Sequence, residues 1–107
     1  MATGILGTQT EITAANYATL YTVPADTFAV VTVNLVNKAA TDRVVRIALA
    51  AADTPTNAEF IEYGTTLIAN GVVERGGIVL QAGKKVVVWA DSTDVTAMCF
   101  GIETSTV

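Results

Sequence analysis

The sequence predicts an all-β protein, an antiparallel β-sandwich of jelly-roll or immunoglobulin-like topology with about eight strands. Three observations carry this. No apolar stripe of helical period survives along the 107 residues. Runs rich in Val and Thr alternate apolar with polar positions, the period of a pleated, half-buried strand. Gly, Pro, Asn and Asp separate those runs at intervals of about ten residues, the spacing of sandwiches and barrels. The chain, 1–107, is read as a single domain in which residues 1–16 are either an N-terminal arm or a first strand.

The elements follow in order. Ile5 and Leu6, flanked by Gly4 and Gly7, form a short apolar segment. It suits a first strand of the sandwich or an arm that adds to a neighbour's sheet edge, so Ile5 and Leu6 are the candidate subunit-interface residues. Tyr17 to Val23 alternates, and Pro24-Ala25-Asp26-Thr27 turns, because Pro fixes φ and Asp can bond its own backbone. Phe28 to Asn37 is the best strand, with Val31, Val33 and Leu35 pointing one way and Thr32 and Asn34 the other. After the polar loop Lys38 to Asp42, Arg43 to Ala50 turns Val45, Ile47 and Leu49 inward. The short connection predicts that these two strands pair antiparallel.

Ala51 to Asn57 is a loop by composition. Glu59 to Tyr63 and Thr65 to Ile68 are extended, and Asn70-Gly71 is a turn signal. Val72 to Leu80 is interrupted by Gly76-Gly77, where a bulge or a close backbone approach is expected. Gln81 to Lys84 turns into Lys85 to Ala90, in which Trp89 reads as a core residue. Asp91 to Asp94 turns into the last strand, Val95 to Glu103.

Composition narrows the function. Charged residues make up 15% of the chain and hydrophobic residues 51%, with a mean hydropathy of +0.50. Globular domains carry about a quarter charged residues. Either much apolar surface is buried against partners or the surface is unusually rich in Ala and Thr, and both are expected. The formal net charge is −4, and the six basic residues contain no run longer than Lys84-Lys85. So few cations neutralise few phosphates, so neither nucleic acid nor an anionic membrane is expected as a partner. The opening residues have neither a basic n-region nor a continuous apolar h-region, so no secretory signal is expected.

Catalytic chemistry lacks its parts. The chain has no His and a single Cys, Cys99, in an apolar run that suits a buried thiol. No nucleophile with a base, no glycine-rich phosphate loop and no metal-ligand spacing is present, so no catalytic residue, cofactor site or metal site is assigned. Asp91-Ser92-Thr93-Asp94 has the oxygen donors of a calcium loop, but a tight polar turn explains it as well. Tyr17, Tyr21 and Tyr63 are the aromatic candidates for a sugar platform, while the loops contain no aromatic residue.

The stretch Leu20-Tyr21-Thr22-Val23-Pro24-Ala25, with Phe28 to Asn37 after it, resembles small virion structural proteins of tailed bacteriophages. So do Ile61-Glu62-Tyr63, Ile68 to Arg75, Ile78 to Gly83, Val86 to Ala90 and Phe100 to Glu103, which extend the resemblance over most of residues 17–103. The resemblance implies a shared scaffold more than a shared location. It implies a non-enzymatic capsid decoration (cement) protein, located on the virion and assembled in the host cytoplasm. The expected partners are the major capsid protein or other virion proteins, with a homo-oligomer, and a trimer first among them. The alternative is a tail fibre, baseplate or collar component, with or without host-glycan binding.

Overall fold

The computed structural model describes residues 2–107. Nine strands run in chain order: β1 Thr3–Ile5, β2 Thr10–Glu11, β3 Tyr17–Thr22, β4 Thr27–Asn37, β5 Arg43–Ala50, β6 Phe60–Leu67, β7 Val72–Leu80, β8 Lys85–Ala90 and β9 Val95–Ser105. One 3₁₀ turn, Asn57–Glu59, precedes β6. The strands form two antiparallel sheets. In the first, β1 and β2 share one edge of β9, and β4 and β7 follow. In the second the order is β3, β8, β5, β6. With β1 and β2 counted as one interrupted strand, this is the eight-strand order of a jelly roll. The immunoglobulin-like alternative, which distributes its strands differently, does not fit.

The alternation in β4 sets the packing. Its inner positions Ala29, Val31, Val33 and Leu35 are at most 1% exposed, while every second residue between them faces outward. They meet Val45 and Ile47 of β5 and Val86, Val88 and Ala90 of β8 in one core, with Ala97 and Cys99 beside them on β9. Each Val or Ile so buried contributes about 1.5–3 kcal/mol relative to exposure. The core is small in volume because it is built from Val, Ala and Leu; Tyr21 is its single aromatic ring. Residues 1–16 do not extend away from the body over their described part. β1 and β2 pair with the chain's own β9, and Leu6 and Ile12 enter the core at 1% and 0% exposure.

The pairing of β4 with β5 expected from their short connection does not occur. β4 lies in the first sheet between β9 and β7, and β5 lies in the second between β8 and β6. The link of residues 38–42 crosses from one layer to the other. Its path is set by Asn37, a fully buried amide. Asn37 Nδ2 donates to the carbonyls of Thr41 (2.9 Å), Leu67 (3.0 Å) and Ile68 (3.1 Å), and its Oδ1 accepts from Ala39 N (2.9 Å). The longer segment 51–59 is the one that joins sheet neighbours, β5 and β6. Asn70 does mark a turn, but the pair at its centre is Ala69-Asn70. Gly71 N donates to Ile68 O at 2.8 Å, and Asn70 takes a φ of 54°. Gly76-Gly77 sits at the register shift between β7 and β4, as expected of a bulge.

Several carboxylates close the ends of the sandwich and are held below their ordinary pKa. Thr19 and Lys85 act on Asp53, the backbone N–H groups of Thr56 and Ala51 on Glu59, Arg43 and Ser92 on Asp94, and Tyr21 on Glu103. A carboxylate with a depressed folded-state pKa contributes stability in full above its unfolded value, about 4. That contribution drains as pH falls through the folded value. The urea midpoint should therefore hold between pH 7 and 5 and decline below about pH 4. The decline should be shallower in an Asp94→Asn, Glu103→Gln double variant. A midpoint unchanged down to pH 2 would show that these groups carry no native-state bias.

Candidate functional site

The two aspartates of the turn with the calcium-loop pattern, and Glu59, Glu62 and Glu103, each have a structural task. Asp94 accepts from Arg43 Nη2 at 2.7 Å and from Ser92 Oγ at 2.8 Å, and Asp91 accepts from Val44 N at 3.2 Å. The Asp91–Asp94 turn thus ties β9 to β5. Glu59 accepts from Thr56 N (2.8 Å) and Ala51 N (3.0 Å), holding the 3₁₀ turn. Glu62 pairs with Arg75 and accepts from Thr65 Oγ1 (2.6 Å), joining β6 to β7 across the open edge of the two sheets. Glu103 accepts from the Tyr21 hydroxyl at 2.5 Å, and burial together with that carboxylate raises the phenol far above its ordinary range. Cys99 is fully buried, which pushes its thiol up to about 12. Among the described residues no three or more His, Cys, Asp or Glu side chains are grouped to hold a metal ion.

What remains is surface, and the two outer faces differ. On the first sheet, cross-strand register sets Ile102 of β9, Val30 of β4 and Val79 of β7 in one row. Ile5 of β1 pairs with Phe100 beside that row, and Phe28 follows Val30 along the outer face of β4. Ile5 and Ile102 are 48% exposed and Val79 65%. Val72, opposite Val36, adds a second apolar position at the far end of β7. The two candidate interface residues therefore part: Ile5 lies on this outer face, and Leu6 faces the chain's own core. A one-residue step along a strand reverses the side chain.

The second sheet presents an aromatic row. Register aligns Tyr17 with Trp89, Trp89 with Arg46, and Arg46 with Tyr63, one residue from each of the four strands. The Arg46 guanidinium carbon lies 4.1 Å from the Trp89 ring centre and 4.4 Å from that of Tyr63, a double cation–π contact. Its Nη1 donates to the Tyr17 hydroxyl at 2.8 Å. Phe60, three residues before Tyr63 on β6, meets Tyr63 edge-on at 4.8 Å and Tyr17 at 6.2 Å. Beneath, Ala48, Ala50 and Val87 form a small second core on which Tyr17 and Phe60 rest. Trp89 is thus an outer-face residue, not the core residue expected from its run of valines. Of the three tyrosines expected as a platform, Tyr17 and Tyr63 share this face. Tyr21 turns inward after the register shift between Thr19 and Tyr21.

A cleft of about 440 Å³ opens beside the row, lined by Asn57, Phe60 and Tyr63. Of the seven aromatic residues, four are on this face, Phe28 and Phe100 are on the other, and Tyr21 alone is in the core. The sequence offered the three tyrosines as a platform but neither Phe60 nor Trp89 with them, and the strands, not the loops, supply the row. No family model, curated protein or solved structure matches the chain.

Proposed function

We propose that the chain is a structural subunit of a tailed-phage particle, a capsid decoration protein that bridges coat-protein neighbours and assembles with copies of itself, as a trimer in the first instance. The observation that carries this reading is the outer face of the first sheet. An apolar row runs across β9, β4 and β7, widened by Ile5, Phe100 and Phe28, on a chain with only 15% charged residues. Contiguous apolar surface of this kind marks a place where another protein sits. The resemblance of residues 17–103 to virion structural proteins supports the particle. The jelly roll, a fold that viral capsid and lectin domains share, is compatible with it at the level of analogy.

The test has two parts. In purified particles the copy number of the chain should be comparable to that of the major coat protein; a number far below it moves the chain to the tail, and absence removes it from the particle. In solution, equilibrium sedimentation should show an oligomer that Val79→Glu dissociates, because a charge at a 65% exposed position disturbs an interface without disturbing the fold. A monomer at all concentrations would overturn the self-assembly. The second reading, a tail fibre, baseplate or collar component, is favoured by the aromatic row on the other sheet, and the copy number separates the two.

A further inference from the structure

We propose that the aromatic row of the second sheet is a binding site for an acidic saccharide, a pyranose that carries a carboxylate as uronic and sialic acids do. The ring of the sugar lies in the cleft against Phe60 and Tyr63, and its carboxylate is drawn to Arg46. The proposal does not depend on where in a particle the chain sits.

Charge singles out Arg46. Lys38 pairs with Glu11, Arg43 with Asp94, Arg75 with Glu62, Lys84 with Glu59 and Lys85 with Asp53. Among the described residues Arg46 is the one basic side chain with no carboxylate within 4.0 Å, in a chain of net charge −4. Its only hydrogen bond within the described chain goes to a neutral phenol, and its buried Nε has no acceptor. The guanidinium has five donors in a fixed fork that matches a carboxylate. Two ring faces hold that fork in place, so little rotamer entropy remains to be lost on binding.

The surroundings favour a sugar over a protein surface. The cleft's volume lies within the range of small-ligand sites, about 300–1,000 Å³. It joins exposed ring surface, Tyr63 at 62%, to the Asn57 amide, which both donates and accepts. Aromatic surface with a few polar groups suits a ligand that is apolar on its C–H face and polar at its rim. The apolar residues next to the row, Ala48, Ala50 and Val87, are buried at 0–1% and offer a partner no broad patch. The edge of the face is polar, with Asp53 accepting from Thr19 Oγ1 at 2.7 Å beside Lys85. The first sheet, by contrast, has the open apolar expanse that a protein partner needs.

Trp89 is the single tryptophan and stacks on Arg46, so its fluorescence reports the site directly. The experiment screens the full chain on an array of uronate- and sialate-containing glycans. It then titrates sialyllactose against lactose, and trigalacturonate against its carboxyl-reduced form, following Trp89 emission. At least one acidic glycan should bind saturably, and loss of its carboxylate should weaken binding at least about tenfold, the weight of one hydrogen bond to a charged group. Tyr63→Ala and Arg46→Gln should each weaken it by a similar factor. Tyr63→Ala also removes one cation–π face from Arg46, at an exposed site, so its melting temperature should fall by only about 2–8 °C; the variant stays folded at about 25 °C, which separates binding from folding. No binding of any acidic glycan, equal binding of the neutral counterparts, or binding indifferent to both substitutions overturns the proposal. Loss of attachment to coat protein in Tyr63→Ala, with no glycan bound by the parent, assigns the row to a protein partner instead.

Discussion

Gly101→Ala should cost at least about 4 kcal/mol of stability, a large part of the roughly 5–15 kcal/mol that a domain of this size has. Gly101 lies in the middle of β9, paired with Gly4 of β1 on one side and Val31 of β4 on the other. A Cβ at this position would lie 1.9 Å from the Val30 carbonyl oxygen, with the Val30 carbon and the Val31 Cα both at 2.9 Å. Those are backbone atoms of the central strand of the sheet, so no side chain can rotate to make room. Relief requires β9 to move away from β4 along a ladder that runs from Thr27–Ser105 to Asn37–Val95. Gly83→Ala is the control. Gly83 sits in the turn before β8 with a φ of 85° and nothing near its Cβ direction, so only left-handed backbone strain, about 1–2 kcal/mol, is expected. Urea unfolding of the two variants measures both. A Gly101→Ala loss no larger than that of Gly83→Ala would mean that the two strands can separate at small cost.

The alternating runs of Val and Thr were enough to read the fold class and nearly every strand. The perfect alternation of burial in β4 is what the alternation of Val31, Val33 and Leu35 with Thr32 and Asn34 implies. Pairing was not legible in the same way. Connection length suggested β4 beside β5, but a jelly roll sends most connections across the gap between its layers. The buried amide that fixes this crossing, Asn37, looks in sequence like any polar residue at a strand end.

The candidate site was hidden for a related reason. Val86-Val87-Val88-Trp89-Ala90 is apolar on both faces, so nothing local says which way Trp89 points. The row of Tyr17, Trp89, Arg46 and Tyr63 exists only once three strand pairings are in register, and each pairing joins residues distant in sequence. One signal was present: Arg46 interrupts an otherwise apolar strand, Val44-Val45-Arg46-Ile47-Ala48. A cation there must be solvated, pair with a carboxylate or find aromatic faces, and the two strands beside β5 supply the faces: Tyr63 on β6 and Trp89 on β8.

Asn37→Ala should lower stability by about 3 kcal/mol or more, and the melting temperature by roughly 12–24 °C, since each kcal/mol is worth about 4–8 °C in a domain of this length. The substitution takes the amide away from the Thr41 and Leu67 carbonyls and from the Ala39 N–H, while the Ile68 carbonyl keeps the Gly71 N–H at 2.8 Å. An unsatisfied buried group costs about 1–3 kcal/mol, though the costs at one site do not add fully. These bonds also hold the end of β4, in the first sheet, to the end of β6, in the second, so their loss loosens the crossing between layers. Asn34→Ala supplies the comparison on the same strand. Asn34 faces outward, and its one side-chain bond, to Glu74 Oε2 at 3.2 Å, is exposed to water. Its removal should stay within about 0.5 kcal/mol. A wide gap between the two asparagines in calorimetry would place the specificity of the layer crossing in one buried amide. Equal, small losses would mean that water reaches the end of β4 and replaces the amide there.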